Sequence, residues 1–201
     1  MDTSHDHEVV SIYAYSDEQI DRLLTLSPEC CLMWGKKDGW PVGVIHAFVW
    51  HEGKIWITFS SHRHRASAIK RDPRVSVCIS GAASQDPTCP SGAATCKGRG
   101  EFFDDDETKA WFYPALANKV SGGNAEGAEA FRNLLDSPLR TILAVTPEKW
   151  ITYDGEKAGR DMAGMLPEEE KTPMLSGDAE RMNKERACLL YTSPSPRDGL
   201  L

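Results

Sequence analysis

The chain has 201 residues, 40% of them hydrophobic and 26% charged, with 30 acidic against 23 basic residues and a formal net charge of -7. That length supports one ordinary core, and the composition is that of a folded globular protein rather than a disordered one. The acidic balance excludes a general nucleic-acid or anionic-membrane binder, and no apolar run reaches the length of a membrane span.

In chain order, the polar N-terminus MDTSHDHE is unlike a signal peptide, so a cytoplasmic location is expected. Residues 16–26 (SDEQIDRLLTL) read as a helix. Ser16 can cap it, acids fill its first turn, and Ile20, Leu23, Leu24 and Leu26 supply a buried stripe. Three strand-like runs follow at 30–34, 41–50 and 54–60. The turn dipeptides Asp38-Gly39 and Glu52-Gly53 between them predict antiparallel hairpins. The run 42–50 is apolar nearly throughout, as in a strand covered on both sides or closing a barrel.

The segment after the third strand, SSHRHRASAIKRDPR, concentrates basic residues in an acidic chain. It reads as a turn with two serines and a short basic helix, ended at Asp72-Pro73 because proline biases the residue before it toward extended geometry. Cations and hydroxyls where a strand meets a helix start suit a phosphate group, since free N–H groups and the positive end of the helix dipole converge there. Ser60, Ser61, Arg63 and Arg65 are the residues so placed. A local basic cluster of this kind fits a small phosphorylated ligand better than a nucleic-acid backbone; a solvated basic helix face is the competing reading. Lys70 and Arg71, about two turns further on, are expected to meet solvent or a partner chain.

Residues 74–80 alternate as a strand, 81–94 form a Gly/Pro/Ser-rich loop, and 95–103 form another strand. Gly98 and Gly100 mark a bulge or a close backbone approach in it. A helix is predicted over 105–120, interrupted near Pro114, then a loop at 122–127 and a short helix at 128–135. The last strand pair, 139–145 and 150–153, is divided at Pro147. About six antiparallel strands with helices outside predict a mainly β protein built on a small closed or nearly closed barrel. From Glu168 onward charge, proline and serine dominate and the periodicity stops. Residues 188–198 (CLLYTSPSPRD) resemble translated sequencing-adapter DNA and are set aside as an artefact. The expected organisation is an N-terminal segment with a helix at 1–27, the barrel domain at 28–160 and a polar tail at 161–201.

The six cysteines form no readable framework; they are expected to be ordinary reduced thiols, with a regulatory Cys89–Cys96 bridge as the alternative. His46, His51, His62 and His64 lack a third ligand at supportive spacing, so no metal site is expected. There is no nucleophile elbow, phosphate-cradling P-loop or dinucleotide fingerprint.

Residues 28–155 resemble the pyridoxamine 5'-phosphate oxidase-like family of FMN-binding split barrels. The matching pieces, in family order, are DGWPVGVIHAFVWHEGKIWITFSS, RHRASAIKRDPRVSV, KGRGEFFDDDE and RTILAVTPEKWITYDG, of which RDPRVSV is the most specific. The resemblance implies a six-stranded antiparallel Greek-key split barrel with peripheral helices, usually a homodimer with FMN, or the deazaflavin coenzyme F-420, at the subunit interface. It places the phosphate near Thr58, Ser60, Ser61, Arg63 and Arg65, with Lys70 a weaker candidate. Anchoring on Thr58 makes Arg63 the principal cation; anchoring on Asp72-Pro73 makes it Arg65. Trp56, on the strand before the turn, is the first candidate to stack on the flavin ring. The implied activity is that of a flavin-dependent oxidoreductase moving hydride or electrons between its cofactor and a small organic substrate. A deazaflavin-dependent reductase, whose coenzyme has a longer acidic tail that Lys70 and Arg71 could satisfy, and a non-catalytic flavin- or haem-binding barrel are the alternatives. The family's substrate-binding Arg-Leu-x-Pro element has no counterpart after Tyr153, so the name-giving vitamin B6 reaction is not implied.

Overall fold

A computed structural model of the protein describes residues 9–135 and 137–192. Within the compact unit 15–156, seven strands form one sheet: β1 (Glu29–Gly35), β2 (Pro41–Ala47), β3 (Val49–His51), β4 (Lys54–Ser60), β5 (Arg74–Ser80), β6 (Gly92–Phe103) and β7 (Arg140–Asp154). Their order is β2-β1-β5-β6-β7-β4-β3, and every pair is antiparallel. β2 and β3 are opposite edges of the sheet, yet a single residue, Phe48, joins them. A sheet whose two edge strands are covalent neighbours must curl until those edges meet, and Phe48 sits in the core at 0% exposure. The result is the expected split barrel, with seven strands in place of six.

The count differs for two reasons. The run 41–50 breaks at Phe48, because its first part pairs with β1 and its last part with β4. The run 140–154 is continuous through Pro147, because a bulge there spares the missing N–H: Gly98 faces Pro147, Lys97 faces Lys149, and Glu148 is the extra residue. The predicted glycine signal in β6 lies at this bulge, where a Cβ on Gly98 would come within 2.4 Å of the Thr146 carbonyl oxygen. The β3–β4 hairpin has the predicted two-residue turn, with positive φ at Glu52 (49°) and Gly53 (71°), the combination that type I′ requires.

The barrel interior takes alternate residues: Cys30, Leu32 and Trp34 of β1, Ile55, Ile57 and Phe59 of β4, and Val75, Val77 and Ile79 of β5. The strand covered on both faces is β4, not β2, whose Ile45 is 56% exposed. Helices α3 (Asp106–Val120) and α4 (Ala125–Leu135) create that second covered face, where Trp56, Ile142 and Ala144 pack with Phe112, Leu116 and Leu135. α3 runs unbroken past Pro114, correcting the predicted interruption. Its buried stripe of Thr108, Phe112, Tyr113, Leu116 and Ala117 offsets the hydrogen bond that proline cannot make. α1 (Asp17–Leu26) is closed by a capping box between Ser16 and Gln19 and buries Ile20, Leu23 and Leu24.

The remaining described residues, 9–14 and 157–192, form a separate unit. Tyr13, Ala158 and Leu166 are its core, and Tyr13 Oη donates to Asp161 Oδ2 at 2.5 Å. Beyond Glu168, where the sequence shows no periodicity, lies helix α6 (Ser176–Thr192). Its sequence is rich in strong helix formers but lacks an apolar stripe, so periodicity does not reveal it. The predicted artefact at 188–198 falls partly on α6; residues 193–201 lie outside the described residues.

Candidate functional site: a cationic slot beside the basic helix

β4 ends at Ser60 and the chain turns into α2 (His64–Arg71). The turn is fixed by its own backbone: Ser61 N–H donates to the Leu139 carbonyl at 2.7 Å, and Arg63 N–H to the Ser60 carbonyl at 3.0 Å. Arg63 is the N-cap residue, and its side chain, which offers no acceptor, makes no cap hydrogen bond at the start of α2. Such a helix start favours an external anion.

His64, Ser67, Ala68 and Arg71 recur at helical spacing and form one stripe of α2. This stripe, with Arg63 and Arg65, is one wall of a cavity of about 810 Å³. The opposite wall is the β1–β2 hairpin: Trp34, Val42 and Val44 from the strands, Lys36 and Lys37 from the turn. Antiparallel pairing sets Trp34 opposite Val42 and Leu32 opposite Val44, which makes this wall apolar. Among the described residues, five Arg and Lys residues line the slot and no carboxylate does. Lys36 pairs with Asp38 at 2.7 Å, and Arg71 donates to the Gly35 carbonyl at 3.1 Å.

Arg65 lies with its guanidinium carbon 5.2 Å from the Phe59 ring centroid. Burial, and then the charge of Arg63, lower its pKa, though a guanidinium stays protonated. His46 follows Val42 and Val44 on the same face of β2, and its ring lies 5.8 Å from Phe59. Burial first, and the Arg65 charge second, push its pKa down to about 4, so the imidazole is neutral near pH 7. The Nε2 atom of His46 and the Nε atom of Arg65 are both buried without a hydrogen-bond partner among the described residues.

Of the residues expected at the phosphate, the fold brings Arg63 and Arg65 together at the slot. Thr58 is buried in β4 and gives its hydroxyl to the Thr141 carbonyl at 2.8 Å. Ser60 and Ser61 shape the turn but do not line the slot. Lys70 points away, its Nζ 5.1 Å from the Phe102 ring. Trp56 packs under α3, edge-on to Trp111 at 4.9 Å, with its indole N–H donated to the His51 carbonyl. Trp34 is the tryptophan in the slot. Sequence reasoning did not single out Lys36 or Lys37, for which the adjacent pair before Asp38-Gly39 was the available signal; Arg71, expected at solvent, at a partner chain or at the tail of a deazaflavin, lines the slot. Among the described residues no group of three or more His, Cys, Asp or Glu could hold a metal. All six cysteines are free, so the alternative Cys89–Cys96 bridge is not formed.

Residues 16–154 match the family described as pyridoxamine 5'-phosphate oxidase. The chain belongs to the pyridoxamine 5'-phosphate oxidase family. Among solved structures, a conserved hypothetical protein of Mycobacterium tuberculosis shares its fold at a TM-score of 0.62 and 17% identity, over 74% of this chain and 91% of that one. An FAD-binding protein of Mesorhizobium loti aligns at a TM-score of 0.51 and 15% identity, over 68% and 93% of the two chains. A putative pyridoxamine 5'-phosphate oxidase of Listeria innocua gives 0.50 and 17%, over 67% and 95%. A search of curated proteins finds no match. Among the described residues, no helix of this pyridoxamine 5'-phosphate oxidase family member is long and apolar enough to cross a membrane.

Proposed function

We propose that the protein binds FMN in the slot between α2 and the β1–β2 hairpin and acts as a flavin-dependent oxidoreductase on a small organic substrate. The observation that carries this reading is the pairing of an uncapped, doubly arginine-flanked helix start with an apolar wall of Trp34, Val42 and Val44 in one cavity. Its volume of about 810 Å³ falls in the range of small-molecule and cofactor sites. Arg63 and Arg65 hold the phosphate by charge-assisted hydrogen bonds, roughly twice as strong as neutral ones. The unpartnered Nε of Arg65 supports this role. Trp34 and the two valines exclude water from one side of the ring and orient it. The flavin supplies the hydride and electron chemistry when bound, and the protein supplies position, dielectric and hydrogen bonds.

Dimerisation belongs to the same proposal. Cross-strand pairing lines up Ile45, Cys31, Cys78, Thr95 and Ile151 on the outer face of five strands, with Ile45 and Ile151 more than half exposed. A second copy would cover this strip and complete the enclosure of the cofactor. The test is FMN binding to the purified protein and to the Arg63→Ala/Arg65→Ala variant, read by flavin absorbance and fluorescence. The variant should keep the circular dichroism of the parent and lose stable FMN. Full cofactor occupancy in the variant would overturn the assignment.

A further inference from the structure

We infer that the far end of the slot, at Lys37 and Arg71 with Lys36 beside them, is a second anion subsite, and that the substrate is a small organic anion. The inference rests on the flavin-type reading of the first site. Arg71 lies eight positions beyond Arg63, which at about 1.5 Å per residue is about 12 Å along the helix axis. Cations therefore stand at both ends of the slot, with Ala68, Trp34, Val42 and Val44 between them. A phosphate monoester carries about two negative charges at neutral pH, which Arg63 and Arg65 already match. The other end remains positive. Asp38 neutralises Lys36, but the Gly35 carbonyl that accepts from Arg71 carries no charge, and no ion pair within 4.0 Å engages Lys37 among the described residues.

A simpler account would make these cations complements to the negative end of the helix dipole. Lys70 and Arg71 both stand in the last turn and both complement that dipole, but Lys70 faces Phe102 whereas Arg71 lines the slot. Lys36 and Lys37 belong to a different element and owe nothing to that dipole. Their convergence with Arg71 on one apolar-walled space is the geometry of a carboxylate or phosphate seat. A molecule lying against a flavin ring on this wall, with its anionic group at Lys37 and Arg71, would be held at one point and free to react at its other end.

The FMN-loaded protein tests this with benzoate and its neutral counterpart benzamide, titrated against the flavin absorption spectrum. Benzoate should bind at least about tenfold more tightly, the size of one hydrogen bond to a charged group. The Lys37→Ala/Arg71→Ala variant should lose that preference while retaining FMN. Equal binding of the two probes, or a preference that survives in the variant, overturns the second subsite. A wild-type preference seen only for coenzyme F-420 over FMN, and lost in the variant, assigns the anion to the coenzyme and overturns the substrate assignment. Flavin uptake without any anion preference sinks this inference alone; a wild-type protein that takes up no flavin sinks the parent reading.

Discussion

His46 and Arg65 both pack on the ring of Phe59, at 5.8 Å and 5.2 Å, and each keeps one buried nitrogen that no partner among the described residues answers. The dry surroundings first, and the guanidinium second, hold the imidazole neutral, with its pKa down at about 4. An unfolded histidine titrates near 6.5, so between about pH 6.5 and 4 the unfolded chain binds the extra proton. The folded state is therefore at full stability above about pH 6.5 and loses it as the pH falls, by at most about 3 kcal/mol from this group. Urea midpoints measured from neutral pH down to about 4.5 should fall more steeply for the wild type than for His46→Gln. Parallel acid limbs would show that His46 is not held neutral.

Trp34 and Trp56 occupy opposite faces of the barrel wall, and that separation makes their roles distinguishable. Trp34 borders the slot, whereas Trp56 is 6% exposed and surrounded by Phe103, Trp111 and Phe112. Trp56→Ala should cost about 3–5 kcal/mol of stability, as large aromatic truncations in cores do, and leave FMN affinity nearly unchanged. Trp34→Leu should weaken FMN binding by about tenfold, the loss of one aromatic contact of about 1.5 kcal/mol. Thermal melts and fluorescence titration of the two variants check this; a larger affinity loss in Trp56→Ala would reverse the assignment of the walls.

The contrast between these tryptophans shows how far the sequence reaches. Strands, hairpin turns, the basic helix and the family were legible because alternation, Glu52-Gly53 and RDPRVSV are local signals. The side of the sheet on which Trp56 falls was not, because both faces of β4 are buried and alternation then carries no information. The break at Phe48 and the continuity through Pro147 were hidden for a similar reason: each depends on which distant strand pairs with the segment. Arg63 and Arg65 could be placed together from the sequence because they adjoin the turn after β4. The Lys36-Lys37 pair is visible in the sequence, but that it and Arg71 reach the slot depends on the β1–β2 hairpin folding against the full length of α2, a tertiary fact.

Gly98 is irreplaceable in the bulge that lets β7 pass Pro147. A methyl group there would meet backbone, the Thr146 carbonyl oxygen at 2.4 Å and its carbon at 3.1 Å, and backbone cannot rotate aside as a side chain can. Gly98→Ala should therefore destabilise the fold by about 1–3 kcal/mol, the usual cost of overpacking a core. By contrast Gly159→Ala in helix α5 (Gly155–Met162), which meets nothing within 4 Å, should be close to neutral or slightly stabilising. Denaturant midpoints of the two variants provide the comparison, and equal effects would mean that the bulge tolerates a Cβ.

Gln19 does two jobs at the start of α1. Its Oε1 accepts from the Ser16 N–H at 2.9 Å, closing the capping box, while its Nε2 donates at 2.7 Å to Oδ2 of the buried Asp154 at the end of β7. Ser16→Ala removes only the hydroxyl that accepts from Gln19 N–H at 3.2 Å and should cost about 1 kcal/mol. Gln19→Ala removes the reciprocal cap bond together with a bond to a carboxylate, and should cost about 2–3 kcal/mol. Because the two residues share one cap, the double variant should lose less than the sum of the single losses. Strict additivity in urea denaturation would show that the capping box does not act as a unit, and an equal cost for the two single variants would show that the Gln19–Asp154 bond adds nothing to the anchoring of α1.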